Sequence, residues 1–195
     1  MEFNDFKALV IANRSCRRFD ASRAIEHQEL ADLVDLARQT ASAANMQPLK
    51  YVTCRDPETN QQIYDCLGWA AYLKDWKGPE ESERPAGYIV ILGDTSVASK
   101  FWCDHGITSQ TMLLGARAMG LGGCIFASIN KKKLKDILQI ADHLEVMLVV
   151  AIGTPVETAV IDPINPGDSI KYYRDESQVH HVPKRKLEDI LIRSW

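Results

Sequence analysis

Three arginines fall within five residues at Arg14-Ser15-Cys16-Arg17-Arg18, and the aromatic Phe19 follows them. A guanidinium presents a rigid fork of donors matched to phosphate or carboxylate, and Ser15 adds a compact hydroxyl. Those residue types at that spacing could hold an anion; a solvated charged loop is the plainer alternative. Downstream, Ala41-Ser42-Ala43-Ala44-Asn45-Met46-Gln47-Pro48 joins small side chains to two amides. Small residues let backbone approach a ligand, while Asn45 and Gln47 can both donate and accept. A helix-to-strand connection would account for the same loop. Gly120-Leu121-Gly122-Gly123 offers backbone angles closed to other residues and could bring bare amides near a flat ligand. Last, Lys184-Arg185-Lys186 closes a long tail, with Arg174 ten residues before it.

The elements that must position these residues follow from periodicity. Asn4 and Asp5 can cap a first helix ending near Asn13, and a second spans 26–38 with Leu30, Leu33, Val34 and Ala37 on one face. Strands are predicted over 50–55, 88–92, 124–127 and 144–152, and a helix from Asp56-Pro57 to about Leu67. The helix that begins near Phe101 is apolar or small on nearly every face, so it is expected to be central, subunit-burying, or both. Asn130 can cap the helix after the glycine turn. Past Gly153-Thr154-Pro155 the regular pattern fades, and 158–170 reads as an extended arm before a short helix at 187–192. An irregular tail of that length must dock on its own core or on a partner. The aromatics Trp69, Tyr72 and Trp76 read as buried packing or, alternatively, the mouth of a substrate site.

Composition narrows the classes. At 195 residues one domain is expected, and 46% hydrophobic with 25% charged residues is ordinary for a soluble globular protein. A net charge of -3 gives no electrostatic case for nucleic acid. Five scattered cysteines without a C-x-x-C pair suit reduced thiols in a cytoplasm, and no stretch is long and apolar enough to span a membrane. There is no phosphate loop of the G-x-x-x-x-G-K-[ST] type, no G-x-S-x-G elbow and no H-E-x-x-H pair. The glycine turn follows a helix rather than a strand, which argues against a dinucleotide fingerprint. His180 and His181 are adjacent and, if extended, point to opposite faces, so no metal site is expected from them.

Taken together and in this order, the four motifs resemble those of the nitroreductase family of flavoenzymes. Arg14-Ser15-Cys16-Arg17-Arg18-Phe19 resembles its R-S-x-R-x-F element, and residues 41–48 are similar to its P-S-x-x-N-x-Q-P loop. Gly120-Leu121-Gly122-Gly123-Cys124 resembles the G-L-G-S-C turn, and Pro183-Lys184-Arg185-Lys186 the terminal basic motif. Ala41 stands where the family usually has proline, Leu49 where an aromatic is common, and Ala127-Ser128 where Gly-Gly is frequent.

The resemblance implies an α+β nitroreductase-like fold: a mixed central sheet of about four or five strands flanked by helices, in an interlocked homodimer. The arm 156–195 would pack on the partner subunit. It implies FMN as cofactor, reduced by NADH or NADPH and reoxidised by a small oxidised acceptor such as a nitroaromatic or quinone. Arg14, Ser15, Lys184 and Arg185 would hold the FMN phosphate, with Arg174 in reserve, and Arg17 would sit at the pyrimidine edge. Ser42, Ala43, Asn45 and Gln47 would face the flavin from the other subunit, and Ile125, Ala127 and Ser128 would approach its ring. No catalytic side chain is implied, because the flavin carries the chemistry. Alternatives are another flavin reaction on the same scaffold, such as reductive dehalogenation or flavin fragmentation, and a flavin-binding redox sensor with little turnover.

Overall fold

The computed structural model describes residues 2–195. A four-stranded sheet in the order β1-β2-β4-β3 forms the centre, with β1 at Leu49–Cys54, β2 at Gly87–Asp94, β3 at Gly122–Phe126 and β4 at Leu144–Gly153. Every pairing in it is antiparallel. Residues of β2 alternate between two cores, as the two-residue period of a strand requires. Ile89 and Ile91 pack with Leu30 and Leu33 of α2 (His27–Arg38) and with Met112 and Leu113 of α4 (Asp104–Ala118). Tyr88, Val90 and Leu92 pack with Ile63 of α3 (Pro57–Tyr64) and Leu134 of α5 (Lys131–Leu138). Helices therefore cover both faces, which is why β2 is buried along its whole length and reads as a continuous apolar run.

Side chains explain the helix starts. Glu26 and Glu29 form a reciprocal capping box on α2, Asp56 accepts from the Thr59 amide at 2.8 Å, and Asn130 accepts from the Lys133 amide at 3.1 Å. The first helix, α1 (Phe3–Ala12), is capped by Glu2 rather than by Asn4 or Asp5, and Asp5 completes that box. α3 stops at Tyr64, three residues short of expectation, because Leu67 turns to bridge Ile129.

The fold is the expected α+β arrangement of helices around sheet: the central sheet is antiparallel throughout, and parallel pairing occurs in a second sheet built by the tail. There β5 (Ala159–Ile164) runs parallel to β7 (His180–Arg185), and the two-residue β6 (Tyr173–Arg174) pairs antiparallel with β7. The tail up to Arg185 is thus ordered on its own chain instead of forming an irregular arm. Pro163 and Pro183 disguised it. Pro163 sits on an edge strand, and Pro183 lies past the end of β6, so neither missing N–H breaks a ladder on that side. The last helix, α6, spans only Leu187–Ile190, and Leu187, Ile190, Leu191, Ile192 and Trp195 are all exposed.

Helix α4 buries Thr108, Met112, Leu113 and Ala116, yet Gly106 and Gln110 face outward and Ile107 is 41% exposed. The expected absence of a solvent side therefore does not hold within one chain. None of the described helices is long and apolar enough to cross a membrane.

Candidate functional site

Arg14, Ser15, Arg17, Ile125, His180 and Lys184 line a cavity of about 290 Å³, together with Tyr172 and the α4 residues Gln110 and Leu113. Four distant segments meet there, and the fold supplies a reason for each. The chain leaving α1 lies along β3: Ser15 bridges Gly123 in parallel, and the Cys16 amide donates to the Gly123 carbonyl at 2.9 Å. Gly123 is needed for packing within the sheet and against α4, because a Cβ there would stand 2.4 Å from the Ala151 carbonyl oxygen and 2.6 Å from Leu113. Gly122 is the one that faces the arginine segment, where a Cβ would stand 3.3 Å from that of Cys16. The turn itself uses Gly120 at φ +78°. The glycines thus allow close packing of β3 against β4, α4 and the arginine segment.

The three arginines diverge. The Arg14 guanidinium donates to the Val10 carbonyl at 2.7 Å at the end of α1, and its enclosed Nε has no partner. Burial lowers its pKa from the usual guanidinium value. Arg17 points its Nη1 to within 3.3 Å of His180 Nε2 and lies over the Tyr172 ring, 4.8 Å from its centroid. Its backbone amide donates to the carboxylate of Glu157, whose other oxygen accepts from Arg174 at 3.0 Å. Arg18 turns away and makes a two-pronged pair with Glu83 at 2.6 and 2.7 Å. That pair raises the Arg18 pKa and lowers that of Glu83.

The cavity lining contains two guanidiniums, one ammonium, the hydroxyls of Ser15 and Tyr172, and no carboxylate. Glu157 is engaged by Arg17 and Arg174 and lines a different cavity. A wall of fixed donors and cations without a compensating acid favours an anionic ligand.

The expected Ser/Asn/Gln loop lies elsewhere on the chain. Ser42 and Gln47 line a second cavity of about 240 Å³, with Tyr51 and the α4 residues Asp104 and Thr108. Ser42 Oγ donates to Asp104 at 2.6 Å, and the Ala43 amide donates to the same carboxylate at 3.1 Å. Gln47 donates its backbone amide to Ser42 Oγ at 2.9 Å and its side-chain amide to Asn45 Oδ1 at 3.2 Å. Ala44, Asn45 and Gln47 all have φ near +50°, an unfavourable region for residues with side chains that is held where the surroundings over-determine it. Helix α4 links the two cavities, presenting Asp104 and Thr108 to one and Gln110 and Leu113 to the other.

Several expected residues lie outside both cavities. Arg185 is exposed at the end of β7, and Ala127 and Ser128 are exposed beyond β3, where the Ser128 carbonyl accepts from the Gly68 amide at 2.8 Å. Arg174, the reserve anion contact, lines neither cavity: it donates to Glu157 at 3.0 Å and lies 4.3 Å over the Trp76 ring. Trp69 packs against Tyr64, Phe126 and Trp76 with ring centroids 5.1, 4.6 and 6.2 Å away, so this region is chiefly an aromatic cluster. It reaches the first cavity through Tyr72, whose ring lies 4.9 Å from that of Tyr172. A larger cavity, about 800 Å³ beside Asn60, Tyr64 and Arg84, contains none of the expected residues and carries both signs of charge.

Sequence reasoning passed over His180 as a site residue, along with Tyr172, Glu157 and Asp104. His180 and His181 do take opposite directions. His180 is buried beside Arg17, and burial, reinforced by that positive charge, pushes it down to about 4. His181 faces Asp162 at 2.8 Å and Asp175 at 3.3 Å, which raise its pKa. Their alternation was readable from adjacency; their partners were not.

A family model described as "Nitroreductase family" matches residues 11–154. The chain is 22% identical to a Bacillus subtilis protein named FMN reductase (NADPH), over 83% of this chain and 70% of that protein. It is 24% identical to 4-nitrobenzoate reductase of Pseudomonas putida, over 83% of this chain and 90% of that one. The crystal structure of a nitroreductase family protein from Clostridium novyi NT superposes with a TM-score of 0.62 at 23% identity, covering 80% of this chain and 87% of the other. One from Clostridium difficile 630 gives 0.63 at 19% identity, covering 80% and 86%.

Proposed function

The chain belongs to the nitroreductase family, and from that premise we propose that it is an FMN-dependent oxidoreductase passing electrons from NADH or NADPH to nitroaromatic, quinone or related acceptors. The observation that carries this reading is the carboxylate-free cavity of Arg14, Ser15, Arg17 and Lys184, formed by the residues that match the family's basic motifs. Its donors suit the oxygens of a phosphate, and the partnerless Arg14 Nε leaves one N–H free for such an oxygen once the side chain shifts.

In this reading Arg14, Ser15 and Lys184 hold the FMN phosphate and Ile125 packs against the ring. Arg17 places a fixed cation at the ring edge, where it favours negative charge accumulating beside it. When bound, FMN supplies the two-electron chemistry that connects donor and acceptor in two half-reactions at one site. Ser42 and Gln47 line a separate cavity of the same chain, and Ala43 and Asn45 of that loop line neither of the two, so the loop serves the flavin from a second copy in a homodimer. The outward Ile107 of α4 and the exposed residues of α1 and α6 support such an interface. Five free thiols suit a reducing compartment, and we assign the protein to the cytoplasm.

The test is anaerobic addition of NADH or NADPH to the FMN-loaded protein, followed by a nitroaromatic or quinone. Prompt bleaching of the yellow colour and its return with acceptor are expected. Bound FMN that neither nucleotide reduces would refute the oxidoreductase reading.

A further inference from the structure

Arg17 is held by a residue 163 positions away in the sequence. His180 enters from β7, is 1% exposed, and sets Nε2 at 3.3 Å from the Arg17 guanidinium. A guanidinium has N–H donors and no acceptor, so this contact is a hydrogen bond only when Nε2 carries no proton. A neutral ring then bears its proton on Nδ1, which is enclosed and without a partner. Tyr172 completes the arrangement, with its ring centroid 4.8 Å from the Arg17 guanidinium carbon and 5.2 Å from the His180 ring.

We propose that His180 is a positioning residue for Arg17, its Nε2 accepting from the guanidinium and fixing that charge at the cavity wall. The proposal rests on the reading of this cavity as the FMN site. Its chemistry differs from that of an ordinary salt bridge. A carboxylate in the same place would orient Arg17 but cancel the field it projects on a ligand. An uncharged imidazole orients the guanidinium and leaves its full positive charge available. The charges around His180 agree with that role: Arg17, Arg174 and His181 oppose its protonation, with only Glu157 favouring it, and burial adds to the same side. Glu157 is itself divided between the Arg17 amide and Arg174, so the buried acid does not take the Arg17 guanidinium. The tail sheet thereby acts on the ligand twice, through Lys184 at the cavity wall and through His180 behind Arg17, and β5 and β6 become part of the machinery that sets the charge.

The experiment compares His180→Gln, whose amide oxygen can replace Nε2 as acceptor, with His180→Phe, which keeps a ring but accepts nothing. Affinity for oxidised FMN is read by fluorescence and the two-electron midpoint potential of the bound flavin by anaerobic titration. His180→Phe should shift the ratio of reduced to oxidised FMN affinity about tenfold, a fall of about 30 mV. His180→Gln should stay within about threefold of the parent. Equal potentials in all three proteins, or equal falls in both variants, would overturn the proposal. Nitrogen NMR of the parent protein without cofactor tests the contact independently, even if a variant misfolds. An unprotonated Nε2 with protonated Nδ1 is expected between pH 5 and 8, and an Nε2–H ring would refute the contact. Failure of the parent protein to bind FMN would instead refute the functional reading, and the NMR result would still decide the Arg17–His180 pairing.

Discussion

The carboxylate of Asp104 accepts from the Ser42 hydroxyl at 2.6 Å and from the Ala43 amide at 3.1 Å, so the first residue of α4 holds a loop that is distant in sequence. Asp104 is only 3% exposed, and the loop it holds contains three left-handed residues that would otherwise relax. Asp104→Ala removes two hydrogen bonds to a charged acceptor and leaves their donors without a partner. A loss of about 2 kcal/mol in unfolding free energy is expected, read by urea denaturation. Asp104→Asn, which keeps one oxygen acceptor, should lose less.

Arg14 and Arg17 should fail differently when truncated. Arg14→Ala removes a phosphate donor and should weaken FMN binding by about 2 kcal/mol, roughly thirtyfold in Kd. Arg17→Ala should change that Kd less and slow reduction by NADH or NADPH more, because its charge matters as the ring becomes negative. Stopped-flow reduction beside equilibrium titration separates the two, and equal losses in both variants would defeat the division of labour.

The third arginine serves as a control. Arg18 pairs with Glu83 instead of facing the cavity, in a half-buried, two-pronged geometry. Arg18→Ala should cost about 1 kcal/mol of stability and leave FMN affinity unchanged. The Glu83 carboxyl has a depressed folded pKa, so its contribution is present above the ordinary carboxylate pKa and is lost as pH falls through the folded value. Urea midpoints of parent and variant should therefore converge in acid.

The adjacent histidines should give opposite pH slopes. His181 is raised by Asp162 and Asp175, so its stabilising effect is complete below the ordinary histidine pKa of about 6.5 and disappears as pH rises through its folded value. His180 is pushed down to about 4, so it costs nothing above about 6.5, and its penalty grows as pH falls towards 4. Thermal melts of His181→Gln should lose the decline on the alkaline side, and those of His180→Gln part of the decline on the acid side.

The parts legible in the sequence were those whose cause is local. The apolar run of β2, the Asp56 and Asn130 caps and the small-residue loop all announce themselves within a few residues. The tail sheet did not, because Pro163 and Pro183 look like strand breakers unless their positions at an edge and past a neighbour's end are known. The glycine turn was recognised but its purpose was not: Gly123 answers to the Ala151 carbonyl across the sheet. Arg174 stood in reserve behind Lys184 and Arg185, and the buried Glu157 that engages Arg174 could not be foreseen from its neighbours in sequence. Likewise nothing near His180 in sequence points to Arg17. Such pairings are set by topology, and a single sequence carries no local trace of them.

If Arg14, Ser15 and Lys184 hold an FMN phosphate, the chain binds FMN and loses affinity when one of them is truncated. Titration of the cofactor-free protein with FMN, followed by flavin absorbance and fluorescence, tests it most directly when Lys184→Ala is run beside the parent. Saturation at one FMN per chain, with weaker binding in the variant, is the predicted result. A parent protein that takes up no FMN, or a variant that binds as tightly as the parent, would contradict it.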